Sequence, residues 1–233
     1  PSFVAAVRMS RFNPLFEELP EVLPIFPLPG ALLLPGGQLP LNIFEPRYLA
    51  MVSAALRGDR LIGMVQPIPK DIENDQEDVG AAPVFATGCA GRITAFGETD
   101  DGCYRITLTG LLRFKVMEEL APEDGYRRIC PNWSLYRTDL DQAEEPSSDT
   151  RWDRGRLLDA LRGYFTVAGL QGDWESIRSA SDSELVTALA MLCPFDVREK
   201  QALLEAATLG ERAETMTALL EMASLEQGDA LRH

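Results

Sequence analysis

Residues Ile25–Tyr48 read IFPLPGALLLPGGQLPLNIFEPRY. The stretch is apolar, yet five prolines (Pro27, Pro29, Pro35, Pro40, Pro46) and three glycines (Gly30, Gly36, Gly37) interrupt it, and no charge appears before Glu45. A membrane-spanning helix needs about 20 residues of apolar helix. Each interior proline costs such a helix roughly 3 kcal/mol, through the missing N–H and a clash with the preceding turn. Disorder would leave Ile25, Phe26, Leu28, Leu32, Leu33, Leu34, Leu39, Leu41, Ile43 and Phe44 in water. The remaining reading is folded chain: short strands and turns, with prolines at strand ends and edges. Leu23–Pro27 and Leu39–Phe44 are then strands around a Pro/Gly loop. Glu45-Pro46 opens a helix with proline in its first turn, where the missing N–H costs nothing. Tyr48, Leu49, Met51, Val52, Ala55 and Leu56 make one apolar helical face, and Gly58 ends it.

Outward from this stretch the β signal continues. Leu61–Gln66 is a short apolar strand, and Lys70–Asp78 (KDIENDQED) is an acidic loop without the EF-hand pattern. Thr87–Glu98 and Cys103–Met117 flank TDDG, a strong hairpin signal. Alternation places Tyr104, Ile106, Leu108, Leu112, Phe114 and Val116 on one face, and Arg105, Thr107, Thr109, Arg113 and Lys115 on the other. Gly110 falls on the inward parity and marks a bend or bulge. Arg128–Arg137 reads as a further strand, with Ile129, Trp133 and Leu135 in register. Long strands of this kind suit a curled, mostly antiparallel barrel. Asp139–Thr150 is polar and acidic, a linker. Beyond it the pattern is helical, over Arg151–Thr166, Leu185–Cys193, Val197–Ala207 and Leu209–Leu225. Three capping boxes, Ser181/Glu184, Asp196/Glu199 and Thr208/Glu211, precede the last three helices. The expected organisation is an extension over 1–22, a barrel over 23–138, a linker over 139–150, helices over 151–226 and a tail over 227–233.

Of the 233 residues 45% are hydrophobic and 25% charged, and the net charge is −14. That charge argues against nucleic acid and anionic membrane as partners. PSFVAAVRM at the start is too short for a secretory signal core, and the expected location is the cytoplasm. Cys89, Cys103, Cys130 and Cys193 lack zinc-site spacing and read as reduced, mostly buried thiols. The single histidine is His233. With no G-x-x-x-x-G-K-[ST] loop, no G-x-S-x-G elbow and only three lysines (Lys70, Lys115, Lys200), the sequence offers no catalytic residue, cofactor site or metal site.

Leu23–Val52 (LPIFPLPGALLLPGGQLPLNIFEPRYLAMV) resembles the start of the Lon protease N-terminal, substrate-binding domain, and PLNIFEPRYLAMV is closest to the free-standing bacterial form. Ile62–Pro67, the hairpin Gly88–Val116 and the helical Glu199–Glu221 resemble later parts of the same family. The resemblance runs from about Leu23 to Leu225. It implies an α+β fold: a PUA-like, mostly antiparallel β pseudo-barrel with one inserted helix, followed by a C-terminal α-helical bundle. It also implies engagement of protein substrates or partners, without the ATPase and Ser–Lys peptidase modules of a complete Lon.

The candidate partner-binding residues are Leu32, Leu33, Leu34, Phe44, Arg47 and Tyr48. The leucines would matter if their loop were exposed, although burial is the usual fate of such side chains. Arg47 and Tyr48 are common interface anchors, but each also has a local structural role. Arg92, Arg105, Arg113 and nearby Arg128 could bind an anion, against a blander reading as a mixed, solvated face. Three readings stay open: a non-enzymatic binder of unfolded or partner polypeptides, a regulatory adaptor of a Lon-type protease, and a barrel that binds a small ligand.

Overall fold

The computed structural model describes residues 13–69, 82–141 and 152–230. The acidic stretch Lys70–Asp78 lies outside them, as does most of the segment read as a linker. The chain divides into two compact units, Pro1–Pro146 and Ser147–His233.

In the first unit the elements are β1 (Leu23–Pro27), β2 (Gln38–Ile43), α1 (Pro46–Arg57), β3 (Leu61–Val65), β4 (Thr87–Glu98), β5 (Tyr104–Glu123) and β6 (Tyr126–Asn132), followed by α2 (Thr138–Asp141). The sheet order is β2-β5-β4-β3-β1-β6, and β5 also pairs with β6. The ring β5-β4-β3-β1-β6 therefore closes into a barrel, and β2 hangs on the first half of β5 as an edge strand. All pairings are antiparallel except β1 with β3. Asp124 (φ 47°) and Gly125 (φ 83°) turn β5 into β6, as a tight hairpin requires. Leu23, Ile25, Val65, Ala90, Leu112, Phe114 and Ile129 fill the barrel, with Trp133 edge-on to Phe114.

The single-face reading of β5 is corrected by one bulge. Ala90 pairs with Leu112 but Gly91 with Gly110, so Leu111 is an extra residue. An inserted residue swaps the faces of the strand. Leu112 and Phe114 point into the barrel, whereas Ile106 and Leu108 point to its outside, where Leu33 packs. Tyr48, Met51, Val52 and Ala55 of α1 are buried, and the helix packs against β1, β3 and β6.

Four further expectations change. The strand read to Arg137 stops at Asn132; Ser134–Tyr136 is a 3-10 turn, and Leu135 is exposed. Arg113, read as part of a solvated face, is buried. Its Nε and one terminal nitrogen donate to the two Asp139 oxygens at 2.9 and 2.8 Å, its backbone N–H also donates to Asp139, and its guanidinium stacks 4.5 Å from the Tyr136 ring. Asp139, read as the first linker residue, thus belongs to the barrel unit. Residues before Leu23 dock as well: Phe16 and Leu19 pack against the barrel core, and the Trp133 indole donates to the Pro20 carbonyl at 3.0 Å.

The second unit holds α3 (Arg154–Val167), α4 (Trp174–Ser179), α5 (Asp182–Leu192), α6 (Val197–Glu205) and α7 (Leu209–Ala230). α7 packs against α3, α5 and α6, burying Ala213, Met216 and Leu220. Ser181/Glu184 and Asp196/Glu199 close reciprocal capping boxes. At the third cap, Thr208 accepts from the Glu211 N–H while Glu211 reaches back to the Ala207 N–H. The short α4, absent from the sequence reading, ends under Arg154, which donates to the carbonyls of Ile177, Arg178 and Ala180.

Three substitutions test these contacts by chemical denaturation. A Cβ on Gly110 would stand 2.0 Å from the Leu34 carbonyl oxygen, whereas one on Gly97 meets nothing within 4 Å. Gly110→Ala is expected to cost roughly 3 kcal/mol or more, and Gly97→Ala under about 1 kcal/mol. Asp139→Ala strands a buried guanidinium and is expected to cost about 3–5 kcal/mol.

Candidate functional site

The loop between β1 and β2 turns at Gly30 (φ 74°) and Gly36 (φ 79°), where glycine adopts a left-handed backbone without strain. Its three leucines face inward: Leu32, Leu33 and Leu34 are each 2% exposed or less. The cause lies in the sheet beneath. Gly91 and Gly110 are register partners, and their missing side chains leave a bare strip across β4 and β5. Leu33 Cδ2 would lie 2.7 Å from a Cβ on Gly91. The loop is fastened there by Gly36 N–H to the Gly110 carbonyl at 3.0 Å and Gly110 N–H to the Gly37 carbonyl at 2.9 Å. Buried in this way, the leucines present nothing to a partner.

At the other end of β2 the side chains diverge. Phe44 is 67% exposed. The Glu45 carbonyl accepts from the N–H groups of Tyr48 and Leu49, starting α1. The Glu45 carboxylate pairs with Arg47 at 2.8 Å, and the Arg47 guanidinium lies 4.8 Å over the Tyr48 ring. Tyr48 is buried, 4.1 Å from the Phe26 ring. A Cβ on Gly125 would come within 3.3 Å of Arg47 Cβ, so the β5–β6 turn abuts the start of the helix. Tyr48 is therefore a packing residue, while Phe44 and the outer part of Arg47 remain at the surface.

Phe96 and Tyr104, which the sequence reading did not single out as contact residues, join this end of the sheet. Phe96 is 42% exposed and meets Tyr104 edge-on at 5.1 Å. Tyr104 is opposite Ile43, the residue before Phe44, and its hydroxyl lies 3.3 Å from Ser53 Oγ of α1. The Phe96–Tyr104 pair thus sits at the end of the sheet where β2 hands the chain to α1, and exposed Phe44 is the next residue after Ile43, the register partner of Tyr104. The available signal was an aromatic residue on either side of the TDDG turn, one of them outside the main apolar run.

Asp101, in the adjacent turn, is held below the usual carboxylate range by the Thr99 hydroxyl and the Cys103 N–H. In the second unit burial pushes the Cys193 thiol up to about 11 and lowers nearby Lys200. Cys193 is therefore a neutral, poorly nucleophilic thiol near pH 7. Among the described residues no cluster of His, Cys, Asp and Glu could hold a metal ion, and no helix is long and apolar enough to cross a membrane.

Comparison with known proteins places the chain. The profile of the ATP-dependent protease La (LON) substrate-binding domain matches residues 22–222. Lon protease 2 of Myxococcus xanthus is 28% identical over 206 residues, covering 88% of this chain but 24% of that protein. Lon protease of Anaeromyxobacter dehalogenans is 34% identical over 110 residues, covering 47% of this chain and 12% of its own length. The chain thus spans about a quarter or less of these relatives, in their substrate-binding portion. Among solved structures, a Lon N-terminal domain protein from Xanthomonas campestris superimposes with a TM-score of 0.55 at 25% identity, covering 84% of this chain and 97% of that one. The N-terminal domain of the Mycobacterium avium complex Lon protease shares the fold, with a TM-score of 0.54 at 15% identity over 85% of this chain and 97% of that one.

The division between packing and surface residues is open to measurement. Tyr48→Ala is expected to cost roughly 3 kcal/mol of stability, and Phe44→Ser no more than about 0.5 kcal/mol, both by chemical denaturation.

Proposed function

The chain belongs to the ATP-dependent protease La (LON) substrate-binding domain family, and we propose that it is a non-enzymatic module that holds polypeptide on the aromatic end of its sheet. The observation that carries this reading is Phe44, 67% exposed and one residue beyond Ile43, the register partner of Tyr104 in the Phe96–Tyr104 pair. An aromatic ring left in water forgoes about 1.5–3 kcal/mol of burial, which an incoming apolar side chain can recover. Aromatic and Arg side chains are also the usual interface anchors, and Arg47 stands three residues along the chain from Phe44. Unfolded segments rich in apolar residues are the class of partner that fits, and the cytoplasm is the compartment in which the module would meet them.

The test is binding of labelled, neutral, Leu- and Phe-containing peptides, followed by fluorescence anisotropy. Wild-type protein is expected to bind them and leave them uncut. The double variant Phe44→Asp/Phe96→Asp is expected to lose roughly tenfold or more in affinity, about 1.4 kcal/mol, with its fold intact by circular dichroism. Equal binding by the variant, or none by the wild type, overturns the reading. Co-sedimentation with a Lon-type protease, in the absence of peptide binding, favours the adaptor role instead.

A further inference from the structure

The barrel-lining side of β4 and β5 does not end with its apolar part. Beyond the Ala90–Leu112 pair the register brings Arg92 opposite Thr109, then Ala95 opposite Thr107 and Gly97 opposite Arg105. Asn42 of β2 lies on the far side of Arg105. Directly paired residues share a face, so Arg92, Arg105, Thr107, Thr109 and Asn42 stand on one side of the sheet. Thr94, the unpaired residue at the second register shift, donates to the Thr107 carbonyl at 3.2 Å and lies 2.9 Å from the Thr109 hydroxyl.

The same register removes the acids from this face. Glu98 is opposite Tyr104 on the other side, and Asp101 in the turn is engaged by Thr99 and the Cys103 N–H. No strand residue sharing the face is acidic, in a chain of net charge −14. Arg92 is half-buried, with Nε shielded from solvent and without an acceptor among the described residues. Arg105 is exposed and makes no side-chain ion pair among the described residues. Arg113 and Arg128, grouped with these two in the sequence, do not belong here: Arg113 is buried on Asp139, and Arg128 pairs with Glu123.

We propose that this face docks an extended, carboxylate-bearing polypeptide segment. Charge complementarity selects the carboxylates, since the two guanidinium groups have no acidic partners of their own on the face. Length selects a chain over a single small anion. Arg92 is in register with Thr109, four residues along β5 from Arg105, a distance of about 13 Å at the rise of a β-strand. One small anion spans that poorly, whereas acidic side chains four residues apart on an extended segment match it. The segment would lie over the face and not extend the ladder, because Pro40 blunts the β2 edge. The proposal rests on the reading of the chain as a polypeptide binder, and adds a second face and the class of sequence it takes.

The experiment is fluorescence anisotropy with a labelled Ser/Gly peptide carrying glutamate at every fourth position, beside the neutral aromatic peptides. Arg92→Gln and Arg105→Gln are expected to weaken the acidic peptide about threefold each and roughly tenfold together, with weaker binding still as salt rises. Arg105→Gln, at an exposed position, carries the test if Arg92→Gln fails to fold. Unchanged binding in a folded variant overturns the proposal. So does tighter binding of a single-stranded oligonucleotide, or displacement of the peptide by millimolar inorganic phosphate. Wild-type protein that takes the neutral peptides but not the acidic one refutes this proposal alone. Failure of both peptides removes the polypeptide-binding reading itself.

Discussion

Gly91 and Gly110 face each other across β4 and β5, and the space their side chains would fill is occupied by Leu33 and the backbone at Leu34. Much of the barrel's outer layer depends on that vacancy. It lets the Leu28–Gly37 segment lie flat on the sheet, which buries three leucines that would otherwise form an apolar patch. It also sets where β2 begins, because the Gly36 and Gly37 contacts to Gly110 lead into the β2–β5 ladder. With β2 in register, Ile43 lies opposite Tyr104 and Phe44 emerges at the end of the sheet.

The bulge at Leu111 adds a second consequence to the same place. By exchanging the faces of β5, it lets one strand serve two apolar layers, Phe114 within the barrel and Leu108 outside it. Arg113 then points away from the barrel lumen, and the Asp139 carboxylate with the Tyr136 ring covers it. A buried pair of this kind gains little net stability over an apolar substitute, but it resists the loss of either partner. Its effect is to fix the chain leaving β6 against β5.

What the sequence disclosed follows the range of the interactions. The Pro46 helix start and the capping boxes at Ser181 and Asp196 rest on contacts within a few residues, and all were readable. The bulge was not, because LTGLLRF is apolar on both parities around Gly110. Arg113 and Asp139 are 26 residues apart, and nothing local distinguishes Asp139 from the acids that follow it. The leucine loop was ambiguous for a related reason. Its burial depends on two glycines in strands far along the chain. At the candidate site Phe44 and Arg47 were visible as types, but Phe96 required knowledge of the pairing that sets its ring against Tyr104.

The ring of strands also carries a timetable. β1 pairs with β3 on one side and with β6 on the other, so Leu23 finds its partner only when Ile129 arrives. At a synthesis rate of about 5–20 residues per second, the barrel waits several seconds after β1 is made. During that interval β1 has one edge without its native neighbour. The strand reads LPIFP, and its prolines, which withhold two N–H donors in five residues, make it a poor template for a stray chain. Pro24 and Pro27 thus guard the nascent protein as well as shape the finished one.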